Sequence, residues 1–422
     1  MSIYTTNQCS KTMRITACRI CNGRNIVSVL DLGMMPAPNR FPESVKDFQS
    51  EEMFPLRFCR CEDCGLAMID EVVAPEKLFS TYHYLTAASS PLVTHFRALA
   101  EEVQEKFRLT KKSKVLDIGA NDGTLLLEFQ KHGTKTLGID PAKNVALIAE
   151  TKGVHVLPEF FSHALAKKVK KKEGEFDVIT ATNVFAHTHD IHDFTNGVKE
   201  LLAPNGVFIV EFAHLLEMFE HKFFDVIYHE HLSFYALQPL VQFFEGHGMK
   251  IFDAKKILTQ GGSLRIYVTH EKSKKHDISP AIAKILKEEK KHGLDTRESF
   301  EKFADYVRGY QSSLRTLLQK LKMKGKTIVG VGAPAKGVIL LNYCRIDGDI
   351  IDYLVDSTPL KQHRFLPGVH IPVFSEEKLA EEKIDYFIIL AHNFQDEIIQ
   401  KLSPYRDRGA KIILPFPKIH TI

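Results

Sequence analysis

Val115-Leu116-Asp117-Ile118-Gly119-Ala120-Asn121-Asp122-Gly123-Thr124 reads as a short apolar strand, a turn flanked by glycines, and the first residue of an amphipathic helix. Such a turn is where an α/β sheet brings backbone close to a nucleotide-like ligand. It runs Asp-x-Gly-x-x-x-Gly, unlike the G-x-G-x-x-G of pyrophosphate binders. Carboxylates at Asp117 and Asp122 would repel a phosphate and suit a cationic ligand. The spacing therefore predicts S-adenosylmethionine (SAM) as cofactor, held by Asp117, Gly119, Ala120, Asn121, Asp122 and Gly123. Asp140, closing the next apolar run, is placed to accept two ribose hydroxyls.

Outward from this turn the same rhythm continues. Apolar runs at 115–118, 136–139, 176–181 and 207–212 alternate with amphipathic stretches and predict a mainly parallel sheet covered by helices. Runs at 249–254 and 263–269 have no helix between them and predict two antiparallel closing strands. Residues 278–324 read as helical, with Phe303, Val307, Tyr310, Leu314, Leu317 and Leu321 on one stripe. A second strand and helix alternation begins at Lys326. The fold class is thus α/β: a small N-terminal module (1–85), a Rossmann-like methyltransferase domain (86–275), a helical connector (276–325) and a second Rossmann-like domain (326–422).

The N-terminal residues 1–85 read as loop-rich, with Pro36, Pro38, Pro42 and Pro55, and could hardly build a core of their own. Six of the seven cysteines fall before position 65. Cys18-x-x-Cys21 and Cys61-x-x-Cys64 have the spacing of two zinc knuckles, and Cys59 is an alternative to Cys61. Four thiolates leave no open coordination position, so the Zn²⁺ is expected to be structural. Lys+Arg 56 against Asp+Glu 52 gives +4, which argues against nucleic-acid or membrane-surface binding. The lysine run at 167–172 reads as a solvated helix face. No signal-like or membrane-length apolar run occurs, so a cytoplasmic protein with small-molecule partners is expected, as monomer or homodimer.

Tyr228-His229-Glu230-His231 follows the fifth strand, beyond the strand ends where a substrate meets the cofactor. Base catalysis is the reading these residue types favour. In order along the chain, the Cys-x-x-Cys pairs, Asp-Ile-Gly-x-Asn-Asp-Gly, Asn183-Val-Phe-Ala-His187, Tyr-His-Glu-His, Gly261-Gly-Ser-Leu-Arg265 and Gly330-x-Gly332 resemble the sugar C-3-methyltransferases of deoxysugar biosynthesis. That resemblance implies a nucleotide-linked 4-keto-6-deoxysugar (a dTDP- or GDP-sugar) as substrate. It implies His231 as the base at C-3, with Tyr228, Glu230 and His187 beside it, Asn183 on SAM and Gly262 on the substrate. An enolate needs a donor at its oxygen, and Tyr228 or Tyr82 can be that donor.

Thr327-Ile-Val-Gly-Val-Gly-Ala-Pro-Ala-Lys336-Gly337 is again a strand entering a glycine loop, here without acids and with Lys336, which suits a diphosphate at a helix N-terminus. Arg364, with Lys361 and His363, is a further diphosphate candidate. Two other readings compete: an O- or N-methyltransferase acting on another small molecule, and a non-catalytic zinc-containing binding protein.

Overall fold

Runs that are apolar on both faces and flanked by amphipathic helices become parallel strands. The computed structural model describes residues 4–6, 12–75, 78 and 85–422. Its N-terminal strands are β1 (Tyr4–Thr6), β2 (Thr12–Ile15), β3 (Ile26–Pro36), β4 (Met53–Cys61), β5 (Ala67–Ile69) and β6 (Glu71–Val73). In the middle follow β7 (Lys114–Ile118), β8 (Lys135–Ile139), β9 (Val156–Leu157), β10 (Phe176–Thr182), β11 (Leu202–Ala213), β12 (Ser233–Phe234), β13 (Met249–Ile257) and β14 (Ser263–His270). The last seven are β15 (Ile328–Val331), β16 (Tyr353–Val355), β17 (Arg364–Phe365), β18 (Pro372–Phe374), β19 (Tyr386–Ile389), β20 (Lys411–Leu414) and β21 (His420–Thr421).

The central sheet has the order β13-β14-β11-β10-β7-β8-β9. Its strands β7 to β11 are parallel, and β14 and β13 close it antiparallel as the helix-free run predicted. The C-terminal sheet has the order β17-β18-β16-β15-β19-β20-β21 and is parallel except at its two edges. The residues read as one connector form two helices, Pro280–Lys291 and Arg297–Met323. The break falls at Gly293, whose φ of +72° is the left-handed conformation that ends a helix cheaply only with glycine.

The largest departure lies in the N-terminal module, which is not loop-rich but built from two antiparallel sheets, β1-β2-β6 and β12-β5-β4-β3. In the second, β4 and β5 are covered on both faces, while β3 at its edge leaves Ser28, Asp31, Gly33 and Met34 exposed. Leu56, Phe58, Ala67 and Ile69 pack with Phe234, the stripe Phe300, Phe303, Val307 and the C-terminal residues Ile339 and Leu354. Cys59, Cys61, Leu66 and Met68, pointing the other way, pack with Ile118, Phe185 and Phe212 around the central sheet. Period-2 alternation of direction is therefore present, but both faces are apolar, so it leaves no polar and apolar alternation to read. The module borrows its core from both neighbours.

Phe58 is fully buried, with its ring edge-on to Phe234 at 5.2 Å and stacked on Phe300 at 6.0 Å. Phe58→Ala is expected to cost about 3–5 kcal/mol of stability. Chemical denaturation measures it, and a loss under about 1 kcal/mol would contradict a shared core.

Candidate active site and metal centre

The turn after β7 adopts its shape because glycine sits where side chains cannot. Gly119 has φ +75°, and a Cβ there would lie 2.2 Å from Val184 Cγ2. The amides of Gly119 and Ala120 both donate to Ile139 O, tying the turn to the end of β8. Asp140 Oδ2 accepts from the Asn121 amide and Oδ1 from the Ala142 amide, each at 2.9 Å. Its carboxylate is thus aimed by two backbone donors, with lone pairs remaining for hydroxyls. Asp117 is buried and accepts from the Thr180 hydroxyl at 2.6 Å; burial pushes its pKa up to about 7. Asp117, Gly119, Ala120, Asn121, Asp140 and Asn183 line one cavity of about 1640 Å³.

Asp122 and Gly123 do not line it. The Asp122 carboxylate accepts from the Ala87 amide, the Thr124 hydroxyl and Lys152 Nζ at 3.0 Å, so it fastens residues 86–88 and the following helix to the turn. Asp122, expected at the cofactor, thus has its carboxylate on partners within the chain. Gly123 (φ +76°) backs onto Val154, 2.9 Å from its would-be Cβ. Gly262 likewise faces Glu217 and not the cavity. Residues that sequence reading passed over do line it: Glu159 and Phe160 after β9, Thr86 and Ser89 before the helix Ser90–Lys106, and Asn39 and Phe41 from the N-terminal module. The Glu159-Phe160 position just past a strand end was the available signal.

The Tyr228-His231 loop reaches the same cavity. His231 Nδ1–H donates to Val226 O at 2.8 Å, which fixes the neutral tautomer and leaves Nε2 as the acceptor, 2.9 Å from the Tyr228 hydroxyl. Burial holds the His231 pKa well below the usual imidazole range, and neighbouring His187 and Lys336 add to the effect. The His187 ring lies 4.9 Å from it, edge-on, and burial lowers His187 to about 4. Glu230 is pushed up to about 7 by burial, although the Asn39 amide, 2.6 Å away, favours its charged form. His229 turns the other way, donating to Pro55 O at 3.1 Å. Tyr82 lies outside the described residues.

At the far end, Lys336 is half-buried near the start of the helix Ala335–Cys344, donates to Asn393 Oδ1 at 2.6 Å, and is lowered to about 8 by desolvation. Arg364 lines the cavity and pairs with Glu43 at 2.8 Å; Lys361 lines it and donates to Ala333 O at 3.0 Å. His363 is absent from the wall. The cavity is therefore lined by the glycine turn, by His231 and by a C-terminal part where Lys336, Lys361, Arg364 and Lys401 stand among Asp356, Glu376 and Glu397.

The four sulfurs of Cys18, Cys21, Cys61 and Cys64 lie within 4.8 Å of one another, with Cys18 to Cys64 at 3.5 Å and Cys21 to Cys61 at 3.6 Å. Tetrahedral ligands about 2.3 Å from zinc stand ~3.8 Å apart, so this donor set fits the ion. Cys59 Sγ points instead to Arg57 O, 3.9 Å away. Among the described residues no helix is long and apolar enough to cross a membrane.

Comparison with known proteins gives three family models in register with these parts. They are described as "Putative zinc binding domain" (residues 18–79), "Methyltransferase domain" (93–253) and "C-methyltransferase C-terminal domain" (258–417). C-methyltransferase NovU of Streptomyces niveus is 33% identical over 408 residues, 97% of each chain. A ubiquinone biosynthesis O-methyltransferase of Azorhizobium caulinodans is 30% identical over 123 residues, 28% of this chain and 46% of that one. Among solved structures, magnesium protoporphyrin IX methyltransferase (ChlM) from Synechocystis PCC 6803 with bound SAM is 13% identical, at a TM-score of 0.33 over 42% of this chain and 79% of that one.

Metal analysis tests the sulfur set. Cys61→Ala should abolish stoichiometric zinc, whereas Cys59→Ala should retain it, both read by atomic absorption on purified protein. Retention by the first or loss by the second would exchange the two cysteines.

Proposed function

Because this chain belongs to the C-methyltransferase family, we propose that it methylates C-3 of a nucleotide-linked 4-keto-6-deoxysugar, with SAM as donor, through a base-generated enolate. The observation that carries this reading is a tautomer-fixed His231 lining the cavity that also takes in the glycine turn after β7 and the Lys336 and Arg364 side chains. Bound SAM supplies an electrophilic methyl on a sulfonium. Asp140 takes its ribose hydroxyls, and Asp117, a buried carboxylate, faces its ammonium.

When substrate binds, the Tyr228 hydroxyl turns from His231 Nε2 to the keto oxygen and frees that lone pair for the C-3 proton, while the Val226 carbonyl keeps Nδ1–H in place and shares the charge that develops. A histidine with so low a pKa is fully available as a base at neutrality, yet a weak one. Removing a proton from carbon therefore depends on donors at the keto oxygen. Glu230, which keeps its proton up to about pH 7, and the Tyr228 hydroxyl stand beside His231 for that task. Lys336 and Arg364 at the cationic end take the diphosphate. Walls from three parts of the chain surround the cavity and limit the water that reaches an enolate. The four-cysteine zinc stands apart from this chemistry and is structural.

His231→Asn should lower kcat by roughly 100- to 10,000-fold while leaving SAM affinity within twofold. In deuterated water the wild type should exchange C-3 hydrogen of a keto sugar nucleotide and the variant should not. Exchange that survives in the variant would remove His231 as the base. Methylation without any exchange would point to a hydroxyl or amine acceptor.

SAM binding should also depend on pH in one direction. Burial raises Asp117 to about 7, and a bound cation favours its charged form. Below pH 7 binding must then expel a proton, so affinity falls as pH drops, by up to tenfold per unit. Calorimetry in buffers of differing ionisation enthalpy at pH 6 and 8 reads this, and pH-independent affinity would take Asp117 away from the ammonium.

A further inference from the structure

The zinc-bearing module sends one polar side chain to the cavity wall to which the chemistry above gives no task. Asn39 lies in Pro36-Ala37-Pro38-Asn39-Arg40-Phe41-Pro42, where three fixed proline φ angles stiffen the path. Its Nδ2 donates to Glu230 Oε1 at 2.6 Å. Glu230 is 2% exposed and lines the cavity with its sequence neighbour His231. Occupying one carboxyl oxygen from a stiff segment stops rotation about the terminal torsion and leaves the other oxygen for substrate.

The same segment continues into the C-terminal domain. Lys361 Nζ sits 5.7 Å from the Phe41 ring centroid, the Phe365 amide donates to Pro42 O at 2.9 Å, and Glu43 pairs with Arg364 at 2.8 Å. Further along, Glu51 meets His370 at 2.7 Å. One strap from the zinc module therefore touches both the catalytic carboxyl and the cations assigned to the diphosphate.

We propose that Asn39 is a positioning residue for methyl transfer: its amide fixes the Glu230 carboxyl at the sugar end of the cavity, so that the zinc-bearing module completes the active site. This rests on the keto-sugar reading above. Acting only through Glu230, Asn39 should matter only while Glu230 is present.

The test is a double-variant cycle on the zinc-loaded full chain, with dTDP-4-keto-6-deoxyglucose and its GDP counterpart as probes. Asn39→Ala should lower kcat tenfold or more with KM within threefold, and with SAM affinity and zinc content unchanged. Added to Glu230→Ala, it should cause no further loss. A kcat within twofold of wild type overturns the proposal, as does a loss that adds to that of Glu230→Ala. So does a loss that tracks falling zinc content or SAM affinity. A wild type that neither exchanges nor methylates either probe takes down the keto-sugar reading and this inference together.

Discussion

The pairing of β12 with β5 sets everything else. Ser233 lies opposite Met68 and Phe234 opposite Ala67, and the Ile69 amide donates to Leu232 O. Two residues of strand are little by themselves. They matter because they anchor the loop that ends at His231, whose other side is held by the Leu232 amide on Ala186 O, next to His187. The loop thus hangs between a strand end of the central sheet and an edge of the N-terminal sheet. Cys61 ends β4 and Cys64 lies in the turn to β5, so closing the sulfur cluster fixes the partner strand on which the loop is hung. Zinc held by these sulfurs would therefore fix the strand on which His231 is hung.

Much of this was legible in the sequence wherever structure is local. The strand, glycine turn and helix at 115–124 carry period and turn chemistry within ten residues, and the closing strands at 249–257 and 263–270 betray themselves by having no helix between them. What escaped has long-range causes. β4 and β5 pack apolar side chains on both faces, which erases the alternation that marks a half-buried strand. Pro55 sits in β4 opposite Met34, beside a register shift in β3, where the ladder is already interrupted. Asn39 and Glu230 are too far apart in sequence for any pattern to join them.

Asp122 shows a subtler limit. Its residue type and place in the turn are those of a ligand contact, and only the direction of the carboxylate, toward Ala87 and Lys152, reveals that it fastens chain to chain. Asp140, also buried, takes only backbone amides as partners and lines the cavity. Composition of a loop can therefore name the chemistry it tolerates without naming which of two carboxylates is turned to its own chain. Asp356 repeats the Asp140 arrangement after β16, accepting from the Ala333 and Thr358 amides. The two α/β halves use one device for shaping a glycine turn.

A sheet buried on both sides also bears on how such a chain can diversify. Neither α/β half can be exchanged with that of a relative unless the replacement presents matching apolar contours to the strands between them, since Phe58 and Ile69 are claimed by one half and Cys59 and Met68 by the other. Inheritance of new acceptor specificity should thus proceed by altering wall residues in place, with recombination at the apparent borders heavily penalised.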